Sequence, residues 1–510
     1  MRLLSCLLSL MLCIGLFSGC AGTSASSTVS STPASSSQPS ETSPDQQDQT
    51  LKIGYSKSNG FNPYLSNDSL VLQASDLVSE KLVEITPEMG VEYRLATSIT
   101  SSGLSVGITL RQDAVFADGT PVTANDVAAC INVARTSVTY AGAFAYVTDV
   151  QVTGNQVQLT LSRDDSLFEY LCTIPIIKES ELASPQPTAS GRYTYGSDGT
   201  LVKNPRSLFG EEQAVETIQL MDVSGFDALV SGLSVGSLDL YTTTHESVNT
   251  SAYTSRSTTF NMNHLIFLGV NSSSSSFLAQ PAVRTAISTA IDREILCERA
   301  YYSAAIPARG AINPLYPCVT GKQSIPTTSN LSLVQKTMEK LGYTRSATDG
   351  FYRDGNGARP ELRLLVCTTS ALKRSAATLI KEQLTEAGFA VTLEETDDFT
   401  GVYSQKIANG EFDLYIGEVK LYNNMDMSPF FENGAVSFGI AQSPELPNAY
   451  TAFTQNSDNA EAFEDLFAQQ LSWIPLCWRS GTLVVNKQIT GITPSCSNTF
   501  YSMQPALPAE

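Results

Sequence analysis

The chain has 510 residues, 42% of them hydrophobic and 16% charged, and its 50 Asp and Glu against 31 Lys and Arg give a net charge of −19. An acid surplus of that size argues against nucleic acid as a partner, because phosphates reward clustered Lys and Arg, and no basic stripe with interleaved aromatics occurs. Everything after Thr50 is too long for one ordinary core, so two or three domains are expected.

Arg2 followed by the apolar run Leu3 to Phe17 is too short for a comfortable membrane span and gives way at once to small residues, which reads as a secretion signal. Leu16-Phe17-Ser18-Gly19-Cys20 looks like a lipobox, with Phe17 where Leu is usual, so Cys20 is the expected lipidation site and acyl chains there would hold the protein on a membrane. From Ala21 to Thr50 the composition is Ser, Thr, Pro, Gln and Ala without an apolar period. Such a segment builds no core and acts as a tether with a reach of roughly 30 Å.

The body then alternates strands and helices. Leu51 to Tyr55 reads as a strand, Asn59 to Tyr64 as a turn, and Leu70 to Val83 as a helix. Ser105 to Arg111 is a strand that runs into Asp118-Gly119-Thr120-Pro121, turn chemistry, after which Thr123 caps a helix with Asp126 in its first turn. Val147 to Val152 and Gln156 to Leu161 form a hairpin through Gly154-Asn155. A strand at Leu265 to Val270 precedes a helix with Pro281 in its first turn and Val283, Ala286, Ile287, Ala290, Ile291 and Ile295 down one face. The clearest stretch is strand Leu362 to Cys367, helix Leu372 to Ala387 stopped by Gly388, strand Ala390 to Glu395, helix Val402 to Asn409 stopped by Gly410, and strand Phe412 to Ile416. Strands alternating with helices of this length imply parallel pairing with right-handed crossovers, an α/β lobe.

Ten Cys are present, of which Cys6 and Cys13 lie in the signal and Cys20 would be acylated. The remaining seven are an odd number without CxxC spacing, so neither a disulfide framework nor a zinc site is indicated. Most read as buried small hydrophobes. Cys297 with Cys318 and Cys477 with Cys496 are the pairs nearest in sequence, and neither is expected to bridge.

Several landmarks in order carry a resemblance. Phe116-Ala117-Asp118-Gly119-Thr120-Pro121-Val122-Thr123-Ala124-Asn125-Asp126-Val127 resembles, nearly letter for letter, the signature of the family 5 extracellular solute-binding proteins, the dipeptide, oligopeptide and nickel receptors of ABC importers. Gly269-Val270-Asn271, Gln280 to Ala286 and Ala290-Ile291-Asp292-Arg293 are similar to a second landmark, followed by Ile306-Pro307-Ala308, Asn313-Pro314, Lys340-Leu341-Gly342-Tyr343, Phe412-Asp413-Leu414 and Ile474-Pro475-Leu476.

The resemblance implies an α/β fold, a two-lobed periplasmic-binding-protein-like clamshell of type II with an extra subdomain in the first lobe. It divides the chain into a signal (1–20), a linker (21–50), a first lobe (51–264, with the subdomain at about 65–180), a second lobe (265–476) and a return to the first lobe (477–510), with the strands Leu265 to Val270 and Leu476 to Val485 as hinge crossings. It further implies a monomeric, non-enzymatic, cofactor-free lipoprotein that is extracytoplasmic and anchored to the cell membrane, on its outer face or, if an outer membrane is present, in the periplasm. Its expected partners are a peptide or other small-molecule ligand and the permease and ATPase subunits of an ABC importer. In peptide-binding relatives an Asp after the strand equivalent to Phe412 to Ile416 pairs with the ligand amine, and here the segment Gly417 to Asp426 departs from that pattern. Glu418 or Asp426 is then the candidate anionic partner and Lys420 a candidate for a ligand carboxylate, with Tyr422 beside them. Asn62, Tyr64, Asn271 and Arg309 are cleft candidates by position, and each also reads as a turn former or surface charge.

Other readings stay open. Nickel needs soft or imidazole ligands, and the chain offers only His245 and His264, without metal-ligand spacing; chelated nickel remains an alternative ligand. A sensor that transports nothing is a second alternative. A serine penicillin-recognising enzyme is a remote one, since Ser370-Ala371-Leu372-Lys373, Ser457-Asp458-Asn459 and Lys487 to Gly491 imitate its motifs, but the third has two residues too many. Gly103 to Gly107 and Gly232 to Gly236 match GxSxG, and both run into apparent strands instead of helices, against a hydrolase elbow.

Overall fold

A computed structural model describes residues 50–57, 60–210, 215–244, 255–431, 433–440 and 443–504. The signal, the lipobox Cys20 and most of the tether lie outside them, as does His245.

Two long strands, Ser255–Val270 and Trp473–Asn486, pair antiparallel along most of their length and form the spine of an 11-stranded sheet. On one side of the spine lie Leu414–Lys420, Glu361–Cys367 and Ala390–Thr396, the last two parallel to each other and the first parallel to Glu361–Cys367. On the other side lie Leu240–Thr243, Thr50–Tyr55 and Thr217–Asp222, with Thr50–Tyr55 parallel to both neighbours, then the antiparallel Thr200–Lys203 and Tyr193–Tyr195. A separate four-stranded antiparallel sheet (Ala96–Ser102, Ser105–Leu110, Gln156–Leu161, Val147–Thr153) carries the helix Ala124–Ala134 against it. The mixed α/β architecture expected from the strand and helix alternation is therefore present.

Three pairings in the spine show how sequence sets its geometry. Phe260 lies opposite Gly481, Phe267 opposite Gly417 and Tyr415 opposite Gly269. Each ring reaches over the facing glycine, so that a Cβ at Gly481 or Gly417 would come within 2.3 Å of the ring and one at Gly269 within 1.9 Å. An aromatic that covers a cross-strand glycine shields the backbone there and fixes register, because a slip of one residue would bring a side chain under the ring.

The apolar residues form separate cores. One, around Ile287, Leu364, Ile380 and Ile416, lies between the sheet and the helices Pro281–Ala290 and Ala371–Ala387. Another, around Ile108, Val127, Ile131 and Leu159, fills the four-stranded unit. A third, around Leu51, Ile53, Leu77 and Ile218, underlies the strands that open the chain.

Most predicted elements stand where expected. Gly388 ends its helix in the left-handed conformation at φ +102°, its N–H bonded to Leu384 and Thr385 carbonyls, and Gly410 has φ +70°. Thr123 and Asp126 form a reciprocal capping box. Several boundaries differ, among them the strand expected over Phe412 to Ile416, which runs Leu414–Lys420, and the one expected over Leu265 to Val270, which begins at Ser255. The helix expected over Leu70 to Val83 ends at Val78, since Ser79 turns extended and leads into the short strand Val83–Ile85. The helix after Pro281 stops at Ala290, and Asp292 caps a second one, Arg293–Arg299, so Ile295 belongs to a different helix. The segment Val402 to Asn409 begins as a π turn at Phe399–Tyr403 before becoming α-helical at Ser404–Ala408. The seven described cysteines are unbridged.

Candidate functional site

The strand Leu414–Lys420 has a complete partner on one side only. Its ladder with the first long strand runs from Val270 opposite Leu414 to His264 opposite Lys420. Its other neighbour, Glu361–Cys367, reaches only Leu414 and Tyr415. The Ile416 carbonyl on the other side accepts from the buried Tyr403 hydroxyl at 2.6 Å, so Gly417 to Lys420 are left without a second strand partner among the described residues, at the C-terminal end of the parallel strands, where α/β sheets expose their ligand sites.

Charged side chains gather on one face of this edge. Positions 264, 418, 420 and 479 point to the same side because directly opposed residues in antiparallel strands share a face. Glu418 receives Lys373 Nζ at 2.7 Å, with Arg479 Nε at 3.4 Å and His264 Nδ1 at 3.5 Å. Lys373 arrives from the first turn of Ala371–Ala387, whose start is fixed by Ser370 accepting from the Lys373 N–H at 3.1 Å. Arg479 is held from behind by donating Nη2 to the Thr244 carbonyl at 2.9 Å. The four side chains are 13–19% exposed, while Lys420, facing His264, is exposed.

Burial alone would raise the Glu418 carboxyl, but the His264 hydrogen bond with the Lys373 and Arg479 charges outweighs it and holds the group well below the usual range. Burial pushes His264 the other way, below its ordinary value and further than Glu418 can restore it. With His264 neutral, Lys373, Lys420 and Arg479 outnumber Glu418 and leave the face cationic. Buried His264 Nε2 has no hydrogen-bond partner among the described residues.

The other candidate residues are placed differently. Asn62 is fully buried and donates to the Leu182 and Ser184 carbonyls, and its Oδ1 accepts from Tyr64 N–H. The Tyr64 hydroxyl donates to the Pro175 carbonyl at 2.6 Å. Asn271 donates to the Gly410 and Phe412 carbonyls and accepts from Ser273. In this state all three tie chain segments together. Asp426, 9% exposed, takes a bidentate pair from Arg163 at 3.1 and 2.6 Å as well as hydrogen bonds from Ser428 N–H and the Tyr450 hydroxyl. Arg309 and Tyr422 are exposed, Tyr422 with its hydroxyl against Gly142. Of the predicted set, Glu418, Lys420, Tyr422 and Asp426 lie on the one-sided strand and the segment that continues it, Asp426 with its carboxylate turned to Arg163. Arg479 escaped sequence reasoning altogether, and His264 and Lys373 were met only as a lone imidazole and part of a mimicked motif. No local pattern links three residues so far apart in the chain; only sheet register does.

The imitated enzyme motifs have other roles. Ser370 is a helix cap and the Lys373 ammonium is bound to Glu418. Gly103 sits in the turn between two strands, and the stretch Gly232 to Gly236 spans the end of the helix Phe226–Ser234. The strand expected to follow it over Ser237 to Tyr241 is present but begins later, as Leu240–Thr243. Among the described residues no group of three or more His, Cys, Asp and Glu is arranged to hold a metal ion, and no helix is long and apolar enough to cross a membrane.

The family model "Bacterial extracellular solute-binding proteins, family 5 Middle" matches residues 90–441. No curated protein sequence matches the chain. Among solved structures, an unliganded open form of the periplasmic murein tripeptide binding protein MppA is similar with a TM-score of 0.71 at 16% identity, covering 88% of this chain and 95% of that one. A nickel ABC transporter structure from Bacillus halodurans has a TM-score of 0.72 at 16% identity, covering 89% and 98%. The oligopeptide-binding protein AppA of Bacillus subtilis, in complex with a nonapeptide, has a TM-score of 0.55 at 17% identity, covering 90% and 99%.

Proposed function

Because the chain belongs to the family 5 bacterial extracellular solute-binding proteins, two-lobed substrate-binding components of ABC transporters, we propose that its ligand is a peptide, di- or oligopeptide in length, captured by hinge closure and delivered to a membrane permease and its ATPase. The observation that carries this reading is the one-sided strand segment Gly417 to Lys420 beside a cationic face. An extended peptide adds to such an edge through main-chain hydrogen bonds, which supply affinity with loose side-chain specificity. The surplus charge of Lys420, Lys373 and Arg479 then meets a ligand carboxylate, and Tyr422 and Arg309 contribute exposed contacts. Glu418 acts by ordering the cations. Asn62, Tyr64 and Asn271 shape the cleft walls from behind.

In the same reading the first lobe takes residues 51–264 and 477–510, with its inserted unit at about 65–180, and the second lobe takes 265–476. The strands Leu265 to Val270 and Leu476 to Val485 are the hinge crossings. Cys20 carries the lipid anchor that keeps the monomeric receptor outside the cell membrane, and no catalytic step is involved. Mass spectrometry of small molecules released when the purified protein is denatured tests the ligand class. Peptides in the released fraction support the proposal; a nickel chelate with no peptide would replace it.

A further inference from the structure

We infer that Cys297 and Cys477 are a modification site: outside the cell they join as a disulfide that staples the helix Arg293–Arg299 to the long strand Trp473–Asn486. Both sulfurs are thiols in the structure. The fold brings them together from both ends of the helix. Arg293, fully buried, donates Nε to the Pro475 carbonyl at 2.9 Å and holds the start of the helix on the strand. Cys297 lies one turn further along the same helix face. The chain leaving the helix then turns back, with Ser303 donating its N–H to the Cys297 carbonyl at 2.9 Å, and pairs with the same long strand as Ala305–Pro307, which sets Pro307 opposite Cys477. The two side chains share one apolar core with Leu296 and Ala300, Cys297 5% and Cys477 0% exposed. There the Cys477 thiol is in hydrogen-bonding contact with the Cys297 thiol.

Four of the other thiols have partners of a different kind. Cys130 Sγ exchanges hydrogen bonds with the Ile177 backbone at 3.2 Å, Cys172 Sγ donates to the Phe168 carbonyl at 3.8 Å, Cys367 Sγ lies 3.1 Å from Thr369 Oγ1, and Cys496 Sγ lies 4.0 Å from Asn423 Oδ1. The proposed bridge takes one member from each of the two pairs nearest in sequence, because packing and not chain distance decides which thiols meet. The family is extracellular, and disulfides form and persist in that surrounding. Burial, reinforced by the Cys297 thiol, pushes the Cys477 thiol well above its ordinary value. In the finished core Cys477 therefore resists becoming the thiolate that attacks, so the bond forms while the helix is still docking. The oxidant is another disulfide. One cysteine thiolate displaces a thiolate from it, the second cysteine displaces the other from the mixed disulfide, and the two protons end on the departing thiols. The bridge then pins the strand two residues before Arg479, the cation beside Glu418.

The inference rests on the fold and on the family's extracellular location, and it stands whatever the ligand is. The full chain, collected outside the cytoplasm of the cells that export it, is treated with N-ethylmaleimide, unfolded in more of the same reagent, digested and weighed by mass spectrometry with and without reductant. The expected result is that the peptides carrying Cys297 and Cys477 travel as one linked species, two hydrogens lighter than their sum and split by reductant. Both cysteines then lose their maleimide label, while Cys130, Cys172 and Cys367 keep theirs. In Cys297→Ala the Cys477 thiol gains the label; should that variant fail to fold, the peptide map of the parent decides alone. Recovery of Cys297 and Cys477 as maleimide adducts in the parent, or of either one linked to Cys318 or Cys496, would overturn the bridge.

Discussion

Replacing Glu418 by Gln removes the carboxylate that Lys373, Arg479 and His264 share among the described residues, while keeping the shape of the side chain. The amide retains one acceptor for Lys373 Nζ, 2.7 Å away in the parent, but leaves two cations 81–87% buried by the exposures of 19% and 13%, with no counter-ion from this residue. Truncating one partner of a fully buried pair costs about 3–5 kcal/mol; the residual exposure and the retained hydrogen bond lower that to about 2 kcal/mol here. Urea denaturation at pH 7 measures it as a shift in midpoint at unchanged slope. The pH dependence follows from the folded carboxyl lying below its ordinary 4.5. A depressed acid contributes stability that is present above the unfolded value and lost as pH falls through the folded one, so the gap between parent and Glu418→Gln is full at pH 7 and narrows below about pH 4.5. Adding Lys373→Met removes the stranded cation, so the double variant is more stable than the sum of the single losses predicts. Equal stability of parent and Glu418→Gln at pH 7, or a gap that persists unchanged down to pH 3, would refute the reasoning.

Gly417→Ala places a methyl 2.3 Å from the Phe267 ring and should destabilise by about 1–3 kcal/mol, the cost of overpacking, seen as a lower thermal midpoint. Glu464 is fully buried and accepts from Ala311 and Ile312 N–H and Gln323 Nε2, each at 2.8 Å; burial pushes its pKa from 4.5 up to about 7. A raised acid binds its proton more tightly when folded, so the parent gains up to about 3 kcal/mol over Glu464→Gln as pH falls from 8.5 toward 4.5, and urea midpoints for both proteins across that range check it. Thr123→Ala removes the side-chain half of the capping box on Ala124–Ala134 and should cost about 1 kcal/mol in the same assay.

Where local chemistry decides an element, the sequence was readable. Gly388 and Gly410 need positive φ to end helices, Thr123 and Asp126 satisfy each other across one turn, and Gly154-Asn155 joins two alternating strands. The break between Ala290 and Arg293 was missed because the apolar spacing of Val283 to Ile295 runs straight through it; Asp292 competes as a cap and wins. The site was legible only in part. Glu418 and Lys420 lie in a continuous segment, but His264, Lys373 and Arg479 reach them through strand register and a crossover helix. Asp426 carried the right charge for a ligand amine, yet its partner in this state is Arg163, 263 positions away, a pairing that only the fold can bring about. Asn62, Tyr64 and Asn271 had the residue types of a binding wall, and their polar groups bond to backbone or neighbouring side chains.

Calorimetric titration of the purified, ligand-free protein with dipeptides, oligopeptides and nickel tests the account most directly. Saturable binding of at least one peptide class with a stoichiometry of one, weakened by Lys420→Ala, is the predicted outcome. Heat from nickel with none from any peptide would contradict it.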